Sequence, residues 1–434
     1  MIPETISIIL AGGVGSRLHP LTSDRAKPAV PFGGRYRIID FVLSNCLHSG
    51  LRQIMVLTQY KSHSLFKHLR DGWSVFNPSI GEYLTVIPPQ MRTGSSWYSG
   101  TADAVYQNLY LLKRSGARYV LVLSGDHIYR MDYAAMLDFH RATDAQATVA
   151  CMRVPLEQAA SFGVMSLDDS HQITKFVEKP PRPESMSCGG GQALASMGIY
   201  VFDLNVLCDA LETDAQSDHS SHDFGKNILP KMIVDGRVMG YEFGSQQGRV
   251  SVDGYWRDVG TLDSYYQANM DLLLDQPKMD LYQQGWPIYG NVNQAPPARV
   301  GPAQHTPGTC DNVMMAPGTV VSGATVSDSI LSSRVSVDVR AKVMNSVLFD
   351  DVVVGAGASL NKCIIDKDVV IPPGTRIGFD HYSDSKRFVV SDGGVTIVPR
   401  GYSFTCDEQP SKPARSFDPP IRVRGKDASS VLTE

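Results

Sequence analysis

Short apolar runs alternate with amphipathic helical patterns through the first two thirds of the chain. The apolar runs predict strands at residues 6–10, 53–58, 119–123, 148–154, 163–166, 173–177 and 197–202. The helical patterns predict helices at residues 41–48, 62–70, 102–114 and 133–140, with a further helix at 256–274. Such alternation of strands and helices is typical of an α/β domain with a mainly parallel sheet.

A different period begins near residue 335. Apolar or small residues then stand six apart, at Val335, Ala341, Val347, Val353, Ser359, Ile365, Ile371 and Ile377. Six is neither a helical period nor an ordinary hairpin spacing, and it fits a parallel β-helix built from hexapeptide turns that point into a narrow interior. Ordinary short strands in a sandwich are the alternative, and the register over eight positions favours the β-helix.

The segment between these two patterns is rich in proline and polar residues, with Pro277, Pro287, Pro296 and Pro297. This composition indicates a linker. The last residues are rich in proline, serine and charge, which indicates a loosely ordered tail. The 434 residues are therefore predicted to form an α/β domain at 1–275, a linker at 276–300, a β-helix at 301–400 and a polar tail at 401–434.

The composition excludes several classes of protein. Hydrophobic residues make up 43% and charged residues 19%, which is typical of a globular chain. A net charge of −4 provides no overall basic field for nucleic acid or for an anionic membrane. The first apolar run, 6–11, is too short for a signal peptide or a membrane span. The 7 cysteines are scattered singly, as reduced thiols usually are, so we expect a cytoplasmic protein.

The first predicted strand runs directly into a glycine-rich loop, Gly12-Gly13-Val14-Gly15, which Arg17 follows. Glycines let backbone N–H groups approach an anion closely, and the arginine fork matches the geometry of phosphate. Lys27 stands ten residues after Arg17. The loop is neither a Walker A motif nor GxGxxG, so it indicates a phosphate site without identifying the ligand.

Longer segments carry a more specific resemblance. LAGGVGSRLHPLT at 10–22 and RAKPAVPFGG at 25–34 resemble the opening of the sugar-nucleotide pyrophosphorylases, and in detail that of the bacterial ADP-glucose pyrophosphorylases of glycogen synthesis. Similar segments follow in the family's order: RIIDF at 37–41, WYSGTADA at 97–104, SGDHIY at 124–129, FVEKP at 176–180, SHDFGK at 221–226 and YWRDVGT at 255–261. The resemblance implies a Rossmann-like nucleotidyltransferase domain with a mostly parallel mixed sheet, followed by a left-handed parallel β-helix. It implies that ATP and glucose 1-phosphate give ADP-glucose and pyrophosphate for glycogen synthesis.

The same resemblance implies roles for individual residues. Catalysis would depend on Arg17, Lys27 and Asp126, and Mg²⁺ would bind Asp126 and Asp258. Contacts with ATP are implied for Leu10, Ala11, Gly12, Gly13, Gly15, Gln59, Gly100 and Thr101. Contacts with glucose 1-phosphate are implied for Tyr98, Gly163, Glu178, Lys179 and Ser196. The position of Asp126 just after the apolar run 119–123 agrees with this role, because ligands of open α/β sheets bind at the carboxyl ends of strands.

The resemblance also implies a homotetramer whose activity is regulated by glycolytic metabolites. The resemblance assigns Arg25 and Arg37 to effector positions. Two neighbours depart from a related enzyme type, which has lysine at the position of Asp24 and histidine at that of Pro31. The negative charge of Asp24 would oppose a bisphosphate. The identity of the effectors therefore stays open, and fructose 1,6-bisphosphate is not expected to be the strongest activator.

Three alternatives to this interpretation are less favoured. A related enzyme would use another nucleoside triphosphate, but the segments 25–28, 97–98 and 221–226 favour ADP-glucose. An acyltransferase would need a histidine in the β-helix, and residues 310–378 contain none. A non-catalytic regulatory subunit would be expected to lack Arg17, Lys27 or Asp126, and all of these are present.

Overall fold

A computed structural model describes residues 4–90, 97–183, 191–244, 249–250, 254–291 and 294–404 of the chain. Cys188, Cys406 and residues 405–434 of the predicted tail lie outside the described residues. The cysteines within these ranges, Cys46, Cys151, Cys208, Cys310 and Cys363, are free thiols.

The first part of the chain alternates strands and helices. Its strands are β1 (Thr5–Ala11), β2 (Pro31–Phe32), β3 (Tyr36–Arg37), β4 (Gln53–Thr58), β5 (Tyr83–Ile87), β6 (Tyr119–Ser124), β7 (His127–Tyr129), β8 (Ala147–Pro155), β9 (Gly163–Leu167), β10 (Ile173–Glu178), β11 (Gln192–Asp203), β12 (Val238–Glu242) and β13 (Trp256–Asp258). Its helices are α1 (Ile38–His48), α2 (His63–Gly72), α3 (Thr101–Tyr106), α4 (Leu109–Arg114), α5 (Tyr133–Ala142), α6 (Leu156–Ala159), α7 (Leu204–Ala215), α8 (Leu229–Asp235) and α9 (Leu262–Met270), and a π-helical turn covers Phe224–Ile228. Every strand predicted in this region has a counterpart. The helix predicted at 256–274 is wrong at its start, because residues 256–258 pair with β7 as β13 and α9 begins only at Leu262. The elements without a prediction are β2, β3, β5, β7, β12, β13, α6, α7 and α8.

The central feature is a mixed sheet with the order β10-β9-β11-β6-β1-β4-β5, in which β8 pairs with β11 and β12 pairs with β8. Strand β1 is parallel to both of its neighbours, β4 and β6, whereas β11 is antiparallel to β6. The side chains of β1, β4 and β6 are buried on both faces of the sheet, which explains their nearly continuous apolar sequences. The carboxyl ends of these three parallel strands lie at one edge, where the segments that follow them meet.

The helix predicted at 102–114 is wrong in one respect, because it is broken into α3 and α4. Asn108 lies at the break and its Nδ2 donates a hydrogen bond to the carbonyl oxygen of Ala104 at 2.8 Å. A side chain that bonds to the preceding turn competes with the helical backbone pattern. The same Nδ2 donates to Tyr98 Oη at 3.1 Å, so the break also supports the loop before α3.

The second part of the chain is built from short stacked strands. They are β14 (Arg299–Gly301), β15 (Thr309–Met315), β16 (Val320–Ser322), β17 (Thr325–Leu331), β18 (Ser336–Val337), β19 (Lys342–Met344), β20 (Val347–Leu348), β21 (Val353–Val354), β22 (Ser359–Asn361), β23 (Cys363–Ile365), β24 (Val370–Ile371), β25 (Arg376–Ile377), β26 (Val389–Val390) and β27 (Thr396–Val398), with the short helix α10 (His381–Ser385). One sheet has the order β14-β16-β18-β21-β24, and β17, β19, β20, β22 and β23 belong to the other. Pairing within the stack is parallel, as between β18 and β21, so this part is a parallel β-helix as predicted. The left-handed sense of its coil stays a prediction.

The strict six-residue register predicted for the interior of the β-helix is wrong at two positions. Val353 is 38% exposed, and the adjacent Val354 occupies the interior instead. Leu360 is likewise buried in place of Ser359. Paired residues of successive coils lie 16 apart in the first coils and 17 apart in the following ones, for example Val320 with Ser336 and Ser336 with Val353. These coils are therefore one or two residues shorter than three hexapeptides, so a register of six does not hold from one coil to the next.

The predicted linker packs closely against the α/β part. Trp286 is 2% exposed, and its Nε1 donates to Asn45 Oδ1 at 2.9 Å. One apolar cluster then continues from the α/β part into the β-helix, where the rings of Tyr265 and Phe349 lie 6.5 Å apart. The division of the chain at 275, 300 and 400 stays a prediction. Across the described ranges, no helix is long and apolar enough to cross a membrane.

The buried His140 of α5 makes stability depend on pH. Burial lowers the pKa of His140 to about 4, from an ordinary value of about 6.5. Between these values the unfolded chain takes up a proton that the folded protein does not, so the free energy of unfolding falls as the pH drops from about 6.5 to about 4. The His140 contribution to this loss is on the order of 3 kcal/mol.

We expect His140→Gln to flatten this dependence, because glutamine does not titrate. Urea unfolding at pH 7, 6 and 5 measures it, with the exposed His63→Gln as the control. An equally steep loss of stability on acidification in the His140→Gln variant would contradict the assignment.

Candidate active site

The glycine-rich loop follows β1 and borders a cleft of about 580 Å³. Gly15 has a φ of +66°, and a Cβ at this position would lie 3.2 Å from the Cβ of Lys27, so the turn favours glycine. The cleft is lined by the residues predicted to contact ATP, namely Leu10, Ala11, Gly12, Gly13, Gly15, Gln59, Gly100 and Thr101. The structure therefore brings these residues together from three separate segments of the chain, 10–15, 59 and 100–101.

Two carboxylates and one ammonium group meet at the edge of this cleft. Asp126 follows β6, and the antiparallel pairing of β13 with β7 brings Asp258 opposite His127. Lys27 Nζ donates to Asp126 Oδ2 at 2.8 Å and to Asp258 Oδ1 at 3.0 Å. Ser124 Oγ donates to the second oxygen of Asp126. The predicted catalytic lysine and both predicted metal carboxylates thus form one cluster.

The charges of this cluster stabilise one another. Burial by itself raises the pKa of the Asp126 carboxyl, but the neighbouring charges of Lys27 and His127, together with the hydrogen bonds from Lys27 and Ser124, outweigh burial and hold that pKa well below its ordinary value. Burial lowers the pKa of Lys27, whereas Asp126 and Asp258 raise it, and the net change is upward. Two carboxylates beside one ammonium group leave the cluster with net negative charge, which attracts a further cation.

The same cluster contains a set of groups suited to a metal ion. Ligand atoms of Asp126, His127 and Asp258 all lie within 4.8 Å of one another. His127 Nε2 is 3.5 Å from Asp126 Oδ1 and 3.9 Å from Asp258 Oδ1. Carboxylate oxygens are preferred by hard divalent cations, and the position of Lys27 between them marks a place where positive charge is favoured.

Arg17 is exposed beside this cluster and lines the cleft. A Cβ on Gly260 would lie 3.2 Å from Arg17 Nη2 and 2.9 Å from Asp258 Oδ2. Gly260 therefore leaves space for both the guanidinium group and the carboxylate. The contact of Arg17 with phosphate oxygens in the cleft stays a prediction.

The residues predicted to contact glucose 1-phosphate lie mostly on three adjacent strands. Gly163 on β9 pairs with Glu178 on β10, and Ser196 lies on the neighbouring β11. Lys179 follows with a φ of 48°, and its Nζ lies 3.5 Å from Glu178 Oε1. Burial raises the pKa of Glu178. Tyr98 differs from these, because it lines the cleft with the predicted ATP residues.

Several residues of the cleft were not singled out as site residues from the sequence. Asp223 and Gly260 line it, and both lie within segments that carried the family resemblance. Asp223 Oδ2 accepts a hydrogen bond from Thr101 Oγ1 at 3.0 Å, across 122 positions of the sequence. Ser124 also lines the cleft beside Asp126. The motifs therefore contained the signal, but the contacts appear only in the folded chain.

The structure separates the two residues predicted to bind effectors. Arg37 lines a cleft of about 240 Å³ between the α/β part and the β-helix, together with Asp350 and Lys367. Arg25 is not among its lining residues, is 4% exposed and donates through Nη2 to Asp366 Oδ1 at 2.9 Å. Arg25 therefore joins the two parts of the molecule in a buried ion pair. Its contact with an effector stays a prediction and would require this ion pair to open.

Comparisons with known proteins agree along the whole described fold. Residues 6–274 match the nucleotidyl transferase family, and residues 296–398 match the GlmU-like C-terminal hexapeptide family. Glucose-1-phosphate adenylyltransferase 2 of Vibrio cholerae is 58% identical over 405 residues, which cover 93% of this chain and 100% of the relative. The chain belongs to the glucose-1-phosphate adenylyltransferase family. The resemblance inferred from the motifs is thereby confirmed.

More distant members of the family extend this result. The glucose-1-phosphate adenylyltransferases of Saccharophagus degradans and Methylococcus capsulatus are 50% and 46% identical, over 92% and 91% of this chain and 94% and 93% of their own lengths. The shared length includes both the nucleotidyltransferase part and the β-helix. Nucleotidyltransferases of this type use a divalent metal, and the acidic cluster of Asp126 and Asp258 is of the kind that holds one.

Gly260→Ala tests the geometry of the cluster. The added methyl group would lie within 3.0 Å of both carboxylate oxygens of Asp258. We expect nucleotidyl transfer to fall by about tenfold or more with little change in stability, because a displacement of about 1 Å at a reacting group is costly. Turnover and thermal unfolding measure the two effects.

Gly285→Ala is the matched control, since a Cβ at that position would have no neighbour within 4 Å. Full turnover in the Gly260→Ala variant would show that Asp258 and Arg17 do not need this space.

Proposed function

We propose that this chain catalyses the reaction of ATP with α-D-glucose 1-phosphate to give ADP-glucose and pyrophosphate, as its relatives' names describe, and so supplies ADP-glucose for glycogen synthesis. The observation that carries the proposal is the meeting of Lys27 with Asp126 and Asp258 beside the glycine-rich cleft. Whole-length identity of 46–58% to glucose-1-phosphate adenylyltransferases supports the choice of substrates.

The reaction needs positioning and charge neutralisation more than covalent help. A phosphate oxygen of glucose 1-phosphate attacks the α-phosphorus of ATP in line, and the bond to the β-phosphate oxygen breaks to release pyrophosphate. The sugar phosphate is already an anionic nucleophile, so no side chain has to remove a proton. Arg17 and Lys27 stabilise the charge on the departing pyrophosphate, each worth on the order of 2–4 kcal/mol in the transition state. Glu178, Lys179 and Ser196 hold the sugar phosphate.

Asp126 and Asp258 would hold the metal, which we propose is Mg²⁺. Two carboxylates with space for substrate oxygens are the usual donor set for this ion. When bound, Mg²⁺ supplies charge neutralisation to the phosphates of both substrates. Lys27 lies within hydrogen-bond distance of both carboxylates and therefore competes with a metal for them.

Lys27→Met tests this competition. Removing the ammonium group should tighten the binding of Mn²⁺, used as a spectroscopic substitute for Mg²⁺, several-fold in the absence of nucleotide, because the carboxylates lose a competing cation. Turnover should fall on the order of 100-fold, because the same group stabilises the leaving pyrophosphate. Electron paramagnetic resonance of free Mn²⁺ gives the affinity. The exposed Lys342→Met of the β-helix is the control, and unchanged or weaker Mn²⁺ binding in Lys27→Met would contradict the competition.

The reaction itself is tested by pyrophosphate release from ATP, UTP, GTP and dTTP with glucose 1-phosphate and Mg²⁺. ATP should give the highest rate. Asp126→Asn should lower that rate on the order of 100-fold to 1,000-fold while the unfolding midpoint stays close to that of the unaltered chain. Near-normal turnover in Asp126→Asn, or preference for another nucleotide, would overturn the corresponding part of the proposal.

We further propose that the cleft between the two parts binds an anionic effector. Arg35, Arg37 and Lys367 line it against the single carboxylate of Asp350. Asp24 precedes the buried Arg25 and adds negative charge to this segment, which supports our expectation that fructose 1,6-bisphosphate is not the strongest activator. The homotetramer inferred from the family resemblance stays a prediction.

Lys367→Met should lower the ratio of activated to basal rate by about fivefold or more, because a charged group of the cleft is lost. A screen that measures the activation of the unaltered chain by each glycolytic metabolite identifies the effector to use. The same screen ranks fructose 1,6-bisphosphate among the other metabolites. Lys342→Met again serves as the control. Unchanged activation in Lys367→Met would exclude this cleft as the effector site. Strongest activation by fructose 1,6-bisphosphate would refute the expectation drawn from Asp24.

A further inference from the structure

A buried carboxylate lies behind one wall of the nucleotide cleft. Asp214 occupies the last turn of α7 and is 2% exposed. The carboxyl end of a helix carries partial negative charge, so an anion there is unfavourable unless strong donors satisfy it. Asp214 has three such donors: Ser220 Oγ at 2.8 Å, His222 Nδ1 at 2.9 Å and Lys231 Nζ at 3.3 Å. No reacting group of the proposed mechanism is among them.

These donors keep the carboxyl group ionised. Burial by itself raises the pKa of Asp214, but the hydrogen bonds from His222, Ser220 and Lys231 outweigh burial and lower it below the ordinary value. Hydrogen bonds to an ionised acceptor are stronger than those between neutral groups. Asp214 therefore holds the segment that carries Ser220 and His222 through hydrogen bonds to an ionised group.

His222 is held in an unusual backbone conformation. Its φ is +49°, a region that few residues other than glycine adopt. Its backbone N–H donates to Ser220 Oγ at 3.0 Å, so Asp214, Ser220 and His222 close a ring of hydrogen bonds. The ring fixes the direction of the His222 carbonyl group.

That carbonyl oxygen caps the first turn of α3. It accepts hydrogen bonds from the backbone N–H of Ala102 at 2.8 Å and of Asp103 at 3.3 Å, which have no partner within the helix. A Cβ on Gly100 would lie 2.2 Å from the same oxygen, so only glycine permits this approach. Gly100 and Thr101 line the nucleotide cleft, and their position therefore depends on the carbonyl group of His222.

The contact extends from the nucleotide cleft to the sugar phosphate residues. Thr101 Oγ1 donates to Asp223 Oδ2 at 3.0 Å and accepts from the backbone N–H of Phe224 at 3.1 Å. A Cβ on Gly225 would approach Glu178 Oε2 to 2.4 Å. Residues 220–226 thus contact the proposed ATP residues on one side and the proposed glucose 1-phosphate residues on the other.

We infer that Asp214 and His222 are positioning residues. They hold residues 100–103, which form one wall of the nucleotide cleft, in the correct position relative to the residues proposed to bind glucose 1-phosphate. The identity of the two substrates in this inference rests on the proposed function. Neither residue lines the cleft, so each acts through the main chain of residues 222–224 and 100–103.

Asp214→Asn and His222→Ala are the variants to measure. Each substitution removes a hydrogen bond or a charge from the contacts among Asp214, Ser220 and His222. We therefore expect the KM for ATP and for glucose 1-phosphate to rise on the order of tenfold, while kcat changes less than about threefold. His222→Asn should recover part of the loss, because asparagine tolerates the left-handed conformation and retains a donor. The exposed His219→Ala is the control.

Hydrogen exchange of the full chain gives a second reading that does not depend on substrates. The amides of Ala102 and Asp103 should exchange faster in Asp214→Asn and His222→Ala, while the amides of β1 and β6 keep their protection. A merely structural role would raise exchange throughout the sheet and lower stability without a selective rise in KM, and that result would overturn the inference. KM values within twofold of the unaltered chain in both variants would also overturn it.

The outcomes separate the two proposals. If the unaltered chain forms no ADP-glucose, the proposed function fails, and faster exchange confined to residues 101–103 would still support the positioning role. If ADP-glucose forms normally in both variants with unchanged exchange, the positioning role fails and the proposed function stands. If Asp214→Asn does not fold, the comparison of His222→Ala with His222→Asn decides.

Discussion

The active site depends on the attraction between the Lys27 ammonium group and the carboxylates of Asp126 and Asp258. Asp126 lies 99 positions and Asp258 lies 231 positions after Lys27 in the sequence. The three residues meet because the segment after β1, the end of β6 and the paired strands β7 and β13 lie at one edge of the sheet. Two carboxylates this close in a partly buried site repel each other by several kcal/mol unless positive charge lies between them. The fold therefore forms a site at which a cation is favoured, and phosphoryl chemistry that depends on a metal requires such a site.

Substrate contacts are arranged around this cluster by backbone approach as much as by side chains. Gly15, Gly100 and Gly260 each leave room for a neighbouring group that a methyl would displace. The segment 220–226 then connects the nucleotide wall to Glu178. Because the two halves of the site share this segment, a displacement of it would move the predicted contacts of both substrates.

The β-helix is joined to the same framework. The Arg25–Asp366 ion pair is almost fully buried, and Arg25 stands two residues before Lys27. The apolar cluster around Tyr265 and Phe349 makes the two parts a continuous core. Lys367 of the cleft between the two parts follows Asp366 directly in the sequence. An anion bound there, as we propose, would therefore act next to the ion pair that holds the segment carrying Lys27.

The sequence alone identified much of this protein. The apolar runs located β1, β4 and β6 because strands buried on both faces must be apolar throughout, and the ordered motifs identified the family. Local pattern could not show that Asn108 breaks a helix, since that depends on a side-chain bond to Ala104. It also could not show that the coils of the β-helix are 16 or 17 residues long, because a regular spacing of six agrees with burial over one coil and fails at Val353 in the next.

Tertiary structure alone decided which charges meet. Arg25 and Arg37 looked equivalent in the sequence, yet the folded chain gives them different surroundings. Arg25 is buried against Asp366, which lies 341 positions away, whereas Arg37 donates to Ser64, 27 positions away, and lines an open cleft. The same holds for Asp214, whose importance comes from Ser220, His222 and Lys231 around it. Residue type and spacing determine which chemistry is available. Which ionisable groups lose their water and find a partner is decided only when distant segments pack together.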